Sequence, residues 1–530
     1  MRASTTTGAA MLAIALLTGS AGSAQIWQSD QGDGTYRNPV LFADYPDPDI
    51  ICVGSDYFVT TTFANAPGLT LLHSKDLVNW RIFSHVVPHL DDRPEYRLAD
   101  GKDAYRRGLF AASLRFHDGI FYVAVTPVGR NTRIYRSRDP RGPWQMNELD
   151  RSAFDPGLFI EPDGSAYIAT SIGSDGTIRL LKLDAGLRRV VDDRKVHYVA
   201  GAEGSKIVRR GDYHYLFNAI PRRLGLTVSR ARSLYGPWET RPQIDDRSGG
   251  HQGALVDTAD GTWVGFVMLD AGAIGRTTNL SPIFWQDDWP VWGTPDMPGR
   301  VPARATKPVT GFPLAEPATS DDFSARQLGR QWQWNHNPDD SRWSLSARPG
   351  FLRLHPTQAD GLWHARNTLT QKAQGPRSRA EVKLDIRHIA SGDRCGFCTF
   401  GQYSATLAVT RDNRGAASLA MDVIESTEKG PAVDTRMKAA PFTGNTLWIG
   451  LDLDFTTDRG RLSYSRDGVR WQAAGGDFPL AFAWRTGTFQ GQQMALSCYN
   501  PTPGKGHLDV DSFTLRAPRS TTPPHTVRSK

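Results

Sequence analysis

Asp47, Asp155 and Glu203 each open a similar phrase in the first half of the chain: DPDIICVGSDYFV, DPGLFIEPDGSAYI and EGSKIVRRGDYHYL. Two further copies, SLRFHDGIFYV from Ser113 and HQGALVDTADGTWV from His251, complete a set of five. Aligned as phrases, the five copies open on three carboxylic acids, a hydroxyl and an imidazole. Burying such groups in a packed interior is costly, so their recurrence argues for a polar site rather than a core. Three acids are the equipment for breaking a glycosidic bond. A protonated one supplies the leaving oxygen with a proton, and an ionised one activates water on the opposite face. The third raises the pKa of the acid by like-charge repulsion. Taken singly, each has a structural alternative: Asp47 and Asp155 precede Pro, where an Asp caps its own turn, and Glu203 could be a surface residue beside a turn.

The elements that must position these residues are legible in the same repeat. Each copy is a hairpin: apolar residues at alternating positions, a Gly-containing turn, then a strand rich in Tyr, Phe or Trp. The turn glycines Gly54, Gly119, Gly164, Gly211 and Gly261 recur at the roughly 45- to 65-residue interval of a four-stranded propeller blade. Outer-blade phrases end at Trp80, Trp144 and Trp238. The spacing predicts an all-β chain whose residues 25–300 form a five-bladed β-propeller, closed so that no long sheet edge is exposed. The competing architecture is an open sandwich of degenerate hairpins. Residues 301–320 read as a Pro-rich linker. Residues 321–517, with runs such as SRAEVKLDI and LWIGLDLDF, read as a β-sandwich domain. Residues 518–530 read as a disordered tail.

Composition limits what the whole can be. A chain of 530 residues is too long for one core, and its 15 Trp, 34 Pro and 51 Gly suit a turn-rich all-β protein. The net charge of +7 is spread without a basic run or arm, which argues against nucleic acid as a partner. Residues 1–24 combine Arg2, the short apolar run AAMLAIALL and small residues at Gly22 to Ala24, the pattern of a cleaved signal peptide. A secreted or periplasmic protein with no membrane span is therefore expected. Four cysteines cannot build a disulfide scaffold. A single bridge from the CGFC stretch, Cys395 or Cys398, to Cys498 stays open.

Longer stretches carry a resemblance. YRNPVLFADYPDPDI, SKDLVNW, FDPGLF, AEGSKI and GRTTNLSPIFWQDDWPVWG, in that order, resemble glycoside hydrolase family 43. DDFSARQLGRQWQWNHNPDDSRWSL and LWHARNTLTQ resemble the concanavalin-like sandwich of its xylosidase-type branch. The resemblance implies an inverting β-xylosidase or α-L-arabinofuranosidase acting on oligosaccharides from xylan or arabinan, with the sandwich either walling off the pocket for exo action or binding polysaccharide. It puts the general base on Asp47, the general acid on Glu203 and the tuning, orienting carboxylate on Asp155. Arg276, Phe63, His251 and Phe110 fall among the substrate-binding positions. No cofactor is required; His251 matches a central His that in some members holds a Ca²⁺ or a water, so a structural Ca²⁺ near the propeller centre is the one metal implied. The chain departs from the family pattern at Ser205, where Pro is usual, and at FAASL (110–114), where W-A-P-S-L is frequent. The second departure puts the preference for the leaving group in doubt. Two other functions compete: a non-catalytic carbohydrate-binding propeller, and a sialidase, suggested by the single SRDGVRW turn at 465–471.

Overall fold

The computed structural model describes residues 26–62, 64–245 and 247–518. The signal-peptide region, Phe63 and residues 519–530 lie outside the described residues. Five antiparallel sheets follow one another along the chain, each with its strands in sequence order, and each supplies one blade. Their inner strands are Asp49–Val53, Leu109–His117, Phe154–Ile160, Glu203–Arg210 and Gly250–Asp257. Among the described residues there is no α-helix, only short single-turn helical segments.

The apolar positions that alternate along the repeats meet between neighbouring blades. Phe58, Leu71, Leu114 and Phe121 pack between the first and second blades, while Trp80, Val59, Phe266 and Leu280 pack the fifth against the first. The ring is therefore closed by the same kind of apolar seam that joins its other blades. A small ladder reinforces the closure. Thr35–Arg37 pairs antiparallel with Arg304–Thr306, inside the stretch expected to be linker. The adjacent Lys307 is buried against Asp76 at 2.8 Å and against Asp30.

The second region is a sandwich of two large sheets, antiparallel but for one short parallel pair, whose inner faces bury Phe397, Leu407, Leu451, Val510 and Phe513. Cys395 and Cys498 face each other on adjacent strands and form a disulfide, which leaves Cys398 as a buried free thiol. The sandwich docks on the first two blades through backbone hydrogen bonds between Ala66 and Trp334. Asn65 donates to the Thr370 hydroxyl at 2.8 Å, and the Tyr105 hydroxyl donates to the Trp363 carbonyl at 2.6 Å. Buried polar contacts of this kind fix orientation, because slippage would leave each of them unsatisfied.

Candidate active site

Each inner strand enters its blade through one extra residue in the left-handed region: Asp47 (φ 53°), Ala111 (φ 46°), Asp155 (φ 45°), Gly204 (φ 61°) and Gln252 (φ 48°). In the second to fifth blades strand pairing shifts register at the same points, the signature of a β-bulge, a device that re-aims side chains at a rim. Asp tolerates this conformation better than most residues, and at Gly204 a side chain would meet Gln252 at 2.8 Å. The bulge corrects the alignment of the five phrases. Asp47 and Asp155 are the left-handed residues themselves, Glu203 and His251 precede theirs by one, and Ser113 follows its own by two. Phe110, not Ser113, shares the place of Glu203. Ser113 lies deeper, where its hydroxyl accepts from the Leu158 amide at 3.1 Å and pins the neighbouring blade.

The three acids share one electrostatic neighbourhood but have different surroundings. Asp47 is 4% exposed. One carboxyl oxygen accepts a short hydrogen bond from Thr62, whose own oxygen accepts from the Ala111 amide at 2.7 Å. The other oxygen faces the Arg276 guanidinium at 3.6 Å. Both oxygens therefore meet donors, the environment of a carboxylate. Glu203 is pushed above the usual range by burial and by the charge of Asp47, while a 2.5 Å hydrogen bond from Ser174 pulls the other way. Asp155 keeps some residue surface at the mouth, yet its carboxyl is pushed well up, by burial first and then by repulsion from Glu203 and Asp47. A site with one acid held as acceptor and two pushed toward the protonated form can separate base from acid.

Arg276 is 6% exposed, and its Nε and Nη2 have no hydrogen-bond partner among the described residues. A buried guanidinium with spare donors beside a carboxylate is suited to receive ligand hydroxyls. Its guanidinium lies 4.7 Å from the Phe489 ring centroid and 5.6 Å from that of Phe482. Phe110 meets Phe489 edge-on at 5.4 Å. The sandwich therefore supplies two aromatic rings to the propeller's mouth, from a segment about 280 residues beyond Glu203 in the numbering. Nothing in the repeat pointed to Phe482, Phe489, Thr62 or Ser174. Asp44 secures the junction, accepting from the Arg276 amide at 2.8 Å and the Gly491 amide at 3.0 Å.

His251 donates from Nδ1 to the Gly249 carbonyl at 2.8 Å, which makes Nδ1 a protonated nitrogen. The donor set does not make a Ca²⁺ cage, which wants six or more oxygens. Below the mouth the buried Asp49 is neutralised by protein cations, Arg115 at 2.9 Å and Lys206 at 3.6 Å. Among the described residues no group of three His, Cys, Asp or Glu is placed to hold a metal.

A five-bladed propeller with three acids and an arginine at its mouth, capped by rings from a sandwich, defines a glycoside hydrolase. The chain belongs to glycosyl hydrolases family 43, matched over residues 36–290, and residues 320–516 match the β-xylosidase C-terminal concanavalin A-like domain. It is 31% identical to a β-xylosidase of Formosa agariphila over 92% of this chain and 91% of that one. It is 30% identical to a non-reducing end α-L-arabinofuranosidase of Bacteroides ovatus over 78% and 82%. A bifunctional GH43-CE protein of Bacteroides eggerthii superposes with TM-score 0.83 at 32% identity, covering 91% of this chain and 64% of that longer one.

Proposed function

We propose that the protein is an exo-acting, inverting glycosidase that removes single pentoses, β-D-xylose or α-L-arabinofuranose, from xylan or arabinan fragments. The observation that carries the proposal is the divided environment of the acids: Asp47 among donors, Glu203 and Asp155 pushed upward. Asp47 is the general base, Glu203 the general acid, and Asp155 the orienting and pKa-modulating carboxyl, whose protonation is coupled to the charge of Glu203. In one displacement Asp47 takes a proton from water as that water attacks the anomeric carbon, while Glu203 gives its proton to the departing oxygen. Arg276 holds Asp47 and offers its spare donors to the sugar. Phe482 and Phe489 narrow the mouth, which suits a pocket for a terminal residue. One named relative is a β-xylosidase and the other an α-L-arabinofuranosidase, which supports either pentose as the sugar removed.

The experiment is turnover of p-nitrophenyl β-D-xylopyranoside and α-L-arabinofuranoside in EDTA, with the first-formed anomer read by NMR. Nitrophenol release with inversion is expected. Retention would remove Asp47 from the role of base, and a rate restored only by Ca²⁺ would put an ion at His251. Absence of turnover on either substrate and on oligosaccharides would favour a carbohydrate-binding propeller. Secretion belongs to the same proposal, supported by the apolar run near the N-terminus and by the Cys395–Cys498 bridge, which suits an oxidising compartment.

Ser174 gives a pH prediction. Its hydroxyl donates to Glu203 and so favours the ionised acid. Ser174→Ala is expected to raise the pKa of Glu203 further. The alkaline limb of kcat/KM, where the acid loses its proton, then moves to higher pH, and Ser174→Thr restores it. A limb that stays in place, or moves down, would show that the hydroxyl does not act on the acid.

A further inference from the structure

The segment that carries Phe482 and Phe489 to the mouth also carries Trp484, whose side chain is left largely in solvent, the residue being 63% exposed. This segment is held along its length. Leu480 donates its amide to the Asp458 carbonyl at 3.0 Å, and the Thr486 hydroxyl donates to Gln402 at 2.7 Å. The Gly487 amide donates to Ser426 at 3.0 Å, and the Arg106 guanidinium, from the propeller, donates to the Arg485 carbonyl. Gly491 is tied to Asp44. The Arg485 guanidinium stands 4.7 Å from the Trp484 ring centroid. A large aromatic on so well anchored a tip is costly to leave wet unless something covers it, and Trp and Arg are the residues that most often anchor a bound partner. Two residues of chain reach at most about 7 Å, so Trp484 lies close to Phe482, whose ring stands beside the Arg276 guanidinium at 5.6 Å.

We propose that Trp484 is a stacking platform for a β-1,4-linked xylopyranose unit of the substrate chain, outside the pocket in which a single sugar is removed. The inference rests on the glycosidase reading and narrows it to xylan. A xylopyranose has no exocyclic carbon and presents flat faces of C–H groups, which match an indole. A furanose ring is puckered and has no comparable face. The platform therefore takes the xylan chain whether the pocket removes a terminal xylose or an arabinose attached to that chain.

The test is calorimetric binding of xylohexaose and of arabinohexaose to Glu203→Gln protein, alone and combined with Trp484→Ala or Trp484→Phe. With Trp484→Ala, Kd for xylohexaose is expected to rise about tenfold, a typical loss for one exposed anchor. Trp484→Phe should recover most of it, and arabinohexaose should be unaffected. A xylohexaose Kd within twofold of the parent, or no binding to the parent, would overturn the platform. Equal weakening of both hexaoses and of free xylose would also overturn it, because that pattern means the segment has collapsed onto the pocket. These readouts need no turnover, so an enzyme inactive on every glycoside would sink the catalytic reading separately.

Discussion

Asp47→Asn is expected to lower kcat/KM about 10²- to 10⁴-fold on every glycoside the protein cleaves, the usual worth of a general base. Asparagine is the better replacement because it tolerates the left-handed backbone at this position, where alanine would add strain to the loss of chemistry. It keeps the shape but cannot take a proton from water. The loss should fall on kcat rather than KM, since water activation belongs to the transition state. It should also be insensitive to the leaving group, because attack by water is required whatever departs. The variant leaves the buried Arg276 facing a neutral amide, so its melting temperature must be measured alongside. A folded variant within tenfold of wild type would mean that another group activates the water.

How far the site was legible in the sequence follows from which physical periods a sequence displays. Alternating apolar residues and Gly turns announce hairpins, and five similar hairpins announce a propeller, because a lone sheet with an open edge would be a liability. Asp47, Asp155 and Glu203 stood out on that basis. A β-bulge adds one residue without disturbing the apolar pattern inside the blade, so the alignment of the phrases slid Ser113 to the mouth, and only the family resemblance pointed to Phe110. Thr62 and Ser174 carry no pattern at all: each matters only because folding brings its hydroxyl to a carboxyl. Phe482, Phe489 and Trp484 belong to a different domain, and no local period can report a contact made across a domain boundary. The pairing of Cys395 rather than Cys398 with Cys498 was similarly a matter of strand register, since the two strands place those residues directly opposite each other.

Glu203→Ala separates the acid from its neighbours through the leaving group. On xylo-oligosaccharides, whose departing oxygen needs a proton, kcat/KM is expected to fall about 10²- to 10⁴-fold. On a nitrophenyl glycoside the departing phenolate is stable unprotonated, and the fall should be less than about tenfold, within the range of indirect effects. The pH profile provides the second half of the argument. In the wild type the acid must carry a proton, and burial and the charge of Asp47 raise its pKa, so activity persists to higher pH and is lost as pH rises through that raised value. Removing Glu203 should remove that alkaline limb. Asp155 is the rival, because its carboxyl is also pushed up, by burial first and then by the charge of Glu203 itself. If the limb survives in Glu203→Ala at lower pH, the proton belongs to Asp155, relieved of its neighbour's charge, and the two roles must be exchanged. If both substrates lose activity equally, proton donation is not what Glu203 provides. A limb lost together with a large difference between the two substrates is the outcome that only a general acid at Glu203 explains.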